Sequence, residues 1–370
     1  MQMRNVIGQH LFIGVSGKTL TEDEKKFIIE NNIAGITLFG RNCESPEQVR
    51  QLCAEIQNLR HRMIDKVPLF IAIDMEGGRV ARLKAPFTQW PAAKKLGDLD
   101  SPTASFNLAY AMGKELRAVG INLNFSPCTD TLTNTKNTAI GDRAFSTDSE
   151  QVAKHASAYI RGFIKADIIS CAKHFPGHGN TIVDSHDELP IESTQLSELE
   201  KNEFIPFKKS FKSRLQFLMT SHIKFTNIDA ENPVTFSEKF LKKILREELR
   251  YRGFIISDDL DMKALSNNYS REEIPVKALK AGVDFLLYCN QPDSEKIAVE
   301  SIAKALKDGV LNLTEMQSSY KKILDWKKEN LKNPDPLDAT SASRIIGHAD
   351  HFKLSQAIIN GEVPPGLVSI

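Results

Sequence analysis

The sequence predicts an α/β protein: a single-domain (β/α)8 TIM barrel with a helical tail at its C-terminus. Three observations carry this. Eight apolar runs bounded by turn residues recur along the chain, stretches of helical period separate them, and the runs are nearly continuous rather than alternating. Continuous runs mark strands covered on both faces, and eight such strands alternating with helices close into a barrel. A doubly wound open sheet is the nearest competitor, but no G-x-G-x-x-G opens a helix after the first strand.

Taken in order, the runs are LFIGVSG (11–17), IAGITLFG (33–40), VPLFIAID (67–74), INLNFSP (121–127), IISCAKHF (168–175), FLMTSHIKF (217–225), FIISDDL (254–260) and VDFLLYCN (283–290). Between them, SPEQVRQLCAEIQNLRHRM places Val49, Leu52, Cys53, Ile56 and Leu59 on one stripe, and SEKFLKKILREELR is a second amphipathic helix. Thr21, Ser45 and Ser237 stand where N-caps belong, with Pro46 at a first helical position. Near the end, NPDPLDATSAS reads as a linker and SRIIGHADHFKLSQAIINGE as a helix packed on the outside. The expected division is therefore 1–332, the catalytic barrel, and 333–370, a linker and C-terminal helical extension.

Composition excludes several partners. Of 370 residues, 41% are apolar and 26% charged, enough to bury a large core, and Lys+Arg nearly balance Asp+Glu at 48 to 47. No polybasic patch for nucleic acid or anionic lipid is apparent. No run approaches the ~18 apolar residues that span a bilayer, and the first 17 residues lack the apolar core of a signal peptide. The five cysteines (Cys43, Cys53, Cys128, Cys171, Cys289) form no C-x-x-C pair, which fits a reducing compartment. The expectation is a cytoplasmic protein.

Barrel chemistry belongs at the C-terminal ends of the strands. Asp74, Glu76, Asp130, Lys173, His174, His222, Asp258 and Asp259 gather there. In IDMEGGRVAR, Asp74 and Glu76 fall on one face of an extended segment, with Arg79 or Arg82 as a further contact; a turn-stabilising Asp–Arg pair is the plainer alternative. In FIISDDLDM, Asp258 is the better placed to face a pocket, while Asp259 and Asp261 suit capping.

The densest stretch is KHFPGHGNTIVDSHDELP (173–190). A zinc site could draw on His174, His178, His186 and Asp184. However, Pro176, Gly177, Gly179 and Pro190 describe an irregular loop, not a ligand-bearing helix, so no metal is expected. A merely solvated loop leaves Lys173 and His174 at a strand end unexplained. An acid/base device remains: Asp184 and His186 are two apart, and a carboxylate would orient the imidazole and raise its pKa. Gly177 and Gly179 beside Pro176 are expected to hinge a mobile loop.

Six ordered motifs, KHFPGHGNTIVDSH, IDMEGGRVARL, GINLNFSPCTD, IGDRAFS, LMTSH and IISDDLDM, together resemble NagZ-type β-N-acetylhexosaminidases of glycoside hydrolase family 3. The resemblance runs from about residue 11 to 290, with Met75 standing where the family usually has glutamine. It implies a retaining exo-hydrolase with a covalent glycosyl-enzyme intermediate: Asp258 the nucleophile, His186 the acid/base and Asp184 its dyad partner. Lys173, His174, Arg143, Asp74 and Arg82 match the positions that grip the non-reducing N-acetylglucosamine. The implied substrates are N-acetylglucosaminyl-1,6-anhydro-muropeptides in cytoplasmic peptidoglycan recycling. The further implications are no metal or organic cofactor, no nucleic-acid or membrane partner, and a monomer or weak homo-oligomer. Two alternatives stand beside hydrolysis: phosphorolysis by the same dyad, and a non-catalytic sugar-binding barrel.

Overall fold

A computed structural model describes residues 3–185 and 187–363. Eight parallel strands close into one barrel: β1 (Leu11–Gly14), β2 (Gly35–Leu38), β3 (Phe70–Ile73), β4 (Leu123–Asn124), β5 (Ile169–Phe175), β6 (Phe217–Thr220), β7 (Phe254–Asp259) and β8 (Phe285–Tyr288). Each falls inside one of the eight apolar runs. Successive strands are neighbours and β8 returns to β1, with Phe12 opposite Leu287 on one side and Gly35 on the other.

The barrel floor is aromatic. Phe70, Phe217, Phe254 and Phe285 open their strands and Phe12 is second in β1, so all five rings lie at the N-terminal end. The Phe12–Phe285 and Phe70–Phe217 centroids are 5.2 and 5.3 Å apart, edge to face. Trp326, from the helix Leu313–Asn330, closes the floor against Phe70 and Phe254 at 5.8 and 5.6 Å. A plugged floor makes the C-terminal mouth the open end of the barrel, where polar chemistry belongs.

The helix starts follow local capping. Thr21 and Glu24 form a reciprocal capping box, and Ser45 Oγ accepts from Gln48 N. The stripe from Val49 to Leu59 is buried. The segment after Asn333 departs from the expected linker and single helix. Helix begins at Ala339, capped by Asp338, breaks at Gly347 and resumes as Ala349–Ile359. The break has two local causes: Gly347 takes φ +64, where a Cβ would lie 2.3 Å from Pro86 O, and its N–H is spent on Glu115 Oε1 at 3.1 Å.

Candidate active site

Two barrel strands carry one extra residue each, and both irregularities fall at the mouth. In β5, Ala172 faces Leu218 but Phe175 faces Thr220; in β7, Ile256 faces Phe285 but Asp259 faces Leu287. Such a bulge bends its strand and re-aims the side chains within it. Inside the first are Lys173 and His174, and inside the second Ser257 and Asp258. Ser257 Oγ accepts the Leu287 N–H at 3.0 Å, standing in for a displaced backbone acceptor.

Lys173 is the centre of a buried ionic cluster. Its Nζ is 2.7 Å from Asp74 Oδ1 and 2.6 Å from Glu76 Oε1. Arg143 grips Glu76 with two parallel bonds of 2.9 Å, and Arg82 Nη2 meets Asp74 Oδ2 at 3.3 Å. Arg79 instead turns outward to Asp142 and the 138–140 carbonyls. Asn124, at the end of β4, bonds both the N–H and the C=O of Met75 (2.9 and 2.7 Å), fixing the residue between the two carboxylates. Burial would raise the pKa of Asp74, but Lys173 and then Arg82 hold it below its usual value. Glu76, likewise buried, is held well down by Arg143 and then Lys173. Both carboxylates are therefore ionised throughout the neutral range.

His174 is oriented from behind by Asp130, which is fully buried. Its Nδ1 lies 2.7 Å from Asp130 Oδ2, and Asp130 also receives the backbone N–H groups of His174 and His178. Burial raises the pKa of this carboxyl, yet His174 and His178 outweigh it and keep Asp130 ionised. With Nδ1–H committed to Asp130, Nε2 is an acceptor toward Arg143 Nη2 at 3.3 Å. Cys128, Asp130 and His174 also offer three ligand atoms within 4.8 Å of one another. Burial, and secondarily the Asp130 charge, raise the Cys128 thiol well above its ordinary value, so it stays protonated and donates to Asp130 at 3.2 Å. These donors form a hydrogen-bonded bracket for His174 and are a poor fit to a cation.

Asp258 is half-buried, with Oδ1 accepting from Asp259 N at 2.8 Å. Its neighbours do other work. Asp259 is buried, bonded to Asn290 and to Asp261 N; burial, then Asp261, push its pKa up to about 7. Asp261 accepts from Asn290 N, Gln291 N and Ser294 Oγ, fastening the loop after β8. His222, just past β6, bonds Thr235 Oγ1 at 2.7 Å and Asp259 O at 3.1 Å.

The loop leaving β5 is tied on two sides at Ser185. Its Oγ is 3.1 Å from His178 Nε2, and its carbonyl accepts from Ala264 N at 3.3 Å, in the segment that leaves β7. Asp184 is half-buried beside this double tether, and its carbonyl closes a turn with the N–H groups of Asp187 and Glu188. His186 lies outside the described residues. His178 has Nδ1 on Thr181 Oγ1 at 2.7 Å and Nε2 on Ser185; burial, then His174, lower its pKa to about 4, so the ring is neutral. With both nitrogens engaged, His178 braces the loop and does not converge with His174 as a second metal ligand.

The structure thus joins Asp74, Arg82, Arg143, Lys173 and His174 in one network, with Asp258 in a bulge two strands away. The sequence reading left three members out of the gripping set. Glu76 and Asp130 each carried a signal, a carboxylate at a strand end. Asn124 carried none, being one polar residue inside an apolar run.

A plugged barrel with an ionised clamp and a half-buried carboxylate at its mouth has the layout of a glycoside hydrolase. The glycosyl hydrolase family 3 N-terminal domain matches residues 2–326. The β-hexosaminidase of Nitrosomonas eutropha is 39% identical over 290 residues, 77% of this chain and 81% of that protein. A family 3 β-N-acetylglucosaminidase from Paenibacillus sp. FPU-7 superposes with a TM-score of 0.90 at 31% identity, covering 98% of this chain and 69% of that one. NagZ from Neisseria gonorrhoeae, in complex with N-trifluoroacetyl-D-glucosamine, gives 0.76 at 30% identity, covering 96% and 98%. The chain belongs to glycosyl hydrolase family 3, in its β-N-acetylhexosaminidase group. The Paenibacillus match also extends over the C-terminal helical segment.

Proposed function

We propose that this chain is a retaining exo-β-N-acetylglucosaminidase that removes terminal N-acetylglucosamine from peptidoglycan fragments in the cytoplasm. The observation that carries the reading is the pairing at the mouth: a rigid clamp of fixed charges on β3 to β5, with Asp258 in the bulge of β7 and the Asp184 loop tethered to the segment following it. Lys173, Arg143 and Arg82 present donors and Asp74 presents acceptors to sugar hydroxyls, and such preorganised groups hold a reacting carbon to the small tolerance that catalysis needs. In this reading the Asp258 carboxylate attacks the anomeric carbon as His186 gives its proton to the leaving oxygen. His186, then neutral, takes a proton from the incoming water, which displaces Asp258. Asp184 stabilises the imidazolium. A histidine acid/base departs from the usual pair of glycosidase carboxylates.

Release of nitrophenol from p-nitrophenyl N-acetylglucosaminide, with and without phosphate, tests this. The expected product is free N-acetylglucosamine in both cases. Sugar 1-phosphate as the main product would make the enzyme a phosphorylase, and inactivity at every pH would favour a binding barrel. Asp258→Ala is expected to lose turnover by about four orders of magnitude or more while still binding N-acetylglucosamine. Near-normal turnover would remove it as nucleophile.

A further inference from the structure

Glu203 has no place in the chemistry above, yet it lies directly under the loop that carries Asp184. It precedes the helix Phe204–Lys212, whose Phe204 and Phe207 rings pack on Phe175 at 5.7 and 5.4 Å, the last residue of β5. All three rings are buried, so Glu203 is held firmly against the end of that strand. The residue is 5% exposed, and Oε2 is buried with no hydrogen-bond partner. A carboxyl in such a position is costly, and an unmade bond of this kind calls for an explanation.

Gly177 supplies one. A Cβ built on it would lie 2.6 Å from Glu203 Cγ and 2.8 Å from its Cβ, so the glutamate stem fills the space a side chain at 177 would take. Gly177 has φ +140 and its N–H returns to His174 O at 2.8 Å, which makes it the first turn of the loop. The loop therefore leaves β5 by folding over Glu203. On the other side, the Thr133 hydroxyl interacts with the same carboxyl, and Thr133 belongs to the segment that leads from Asp130 to Arg143. Glu203 touches both the acid/base loop and the segment that presents the clamp.

We propose that Glu203 is a positioning residue that sets the acid/base loop against the sugar clamp, through its contact with Gly177 and its place beside Thr133. The inference rests on the reading of Asp184 and His186 as the acid/base pair. The charge state of Glu203 follows from its surroundings. Burial, with smaller contributions from Asp130 and Glu198, raises its pKa to about 7, against the pull of Thr133 and its own backbone. His178, the other titratable group of the turn, is neutral there and offers no counter-charge. Neutral Glu203 fits this space. As pH rises through about 7 the carboxyl ionises with one oxygen unpaired and Asp130 already negative nearby, and the loop loosens.

The test uses Glu203→Ala and Glu203→Gln in the full chain. Glu203→Ala is expected to lower kcat on an N-acetylglucosaminyl disaccharide by about tenfold or more with KM little changed. On p-nitrophenyl N-acetylglucosaminide, whose leaving group needs little protonation, the glycosylation step should suffer less. Glu203→Gln is expected to keep near wild-type kcat at pH 6 and to fall less steeply than the wild type above pH 7, because loss of the His186 proton lowers both but Glu203 ionises only in the wild type. Hydrogen exchange at the 177–185 amides should accelerate in Glu203→Ala, a readout independent of turnover. Wild-type exchange and kinetics in Glu203→Ala would overturn the inference. If that variant does not fold, a Glu203→Gln alkaline limb identical to the wild type would overturn it. A wild-type protein inactive on both substrates would instead count against the acid/base reading itself.

Discussion

Lys173 shows how much one side chain can carry at this mouth. It is 3% exposed and joins two carboxylates that lie at 17% and 5% side-chain exposure, so their mutual repulsion is relieved inside the protein rather than by solvent. Removing one partner from a buried ionic group leaves the rest uncompensated, at a cost of about 3–5 kcal/mol. Lys173→Met is therefore expected to lower unfolding free energy by that order, measured by denaturant titration at pH 7, and to abolish N-acetylglucosamine binding. The sign of its pH dependence follows from the lowered pKa values of Asp74 and Glu76. In the wild type their stabilisation is present above the ordinary carboxylate range near pH 4 and is lost as pH falls through the depressed native values. The gap between variant and wild type should accordingly narrow in acid. A variant as stable as the wild type at pH 7 would mean that Arg82 and Arg143 alone balance the pair.

Glycines and bulges decide matters at the level of elements, and the sequence shows them unequally. Gly179, which the sequence reads as part of a loop hinge, also has a steric role: a Cβ there would lie 1.7 Å from Thr131 O, in the segment leading to Arg143. Gly179→Ala must push the loop away from that backbone, at a cost of about 2 kcal/mol and a clear fall in kcat. Gly40→Ala, with nothing within 4 Å of its would-be Cβ, is the matched control and should be near neutral. Thermal melts and kcat for both check the argument, and equal behaviour of the two would refute it. All eight strands were legible because each is an apolar run with turn residues at its ends. The bulges were not: LFIGVSG and IISCAKHF read alike, and only the pairing of Ala172 and Phe175 with β6 reveals the extra residue. The clamp was legible as charges at strand ends, but its wiring was not. Glu76 and Arg143 are 67 positions apart and meet only after β3, β4 and β5 have aligned.

Across the whole molecule, the described part of the segment after Asn333 is bonded to the outer layer of the barrel at several points. Leu337 N bonds Ala118 O, Arg60 pairs with Asp335 at 2.7 Å, and Ser355 Oγ donates to Gln89 O. Glu115, 2% exposed in the helix Pro102–Ala118, is the centre of this attachment. Its carboxylate receives Thr88 N and Oγ1, Gly347 N, and the His351 ring at 2.7 Å. Four donors from two remote parts of the chain thus converge on one buried acid, far from Asp258 in the sequence and on the outer, helical layer. His351→Ala tests whether 333–370 is an extension separate from a 1–332 barrel. Losing the imidazole leaves Glu115 short of one donor and opens the packing against Trp90, whose ring centroid is 5.9 Å from that of His351. The expected loss is about 1–3 kcal/mol of unfolding free energy, in a single transition shared by barrel and segment. Specific activity of the folded variant should be unchanged, since the described partners of His351, Glu115, Trp90 and His348, are not among the clamp residues or Asp258. An early, separate transition for the segment, with the main one unmoved, would show that the barrel folds without it.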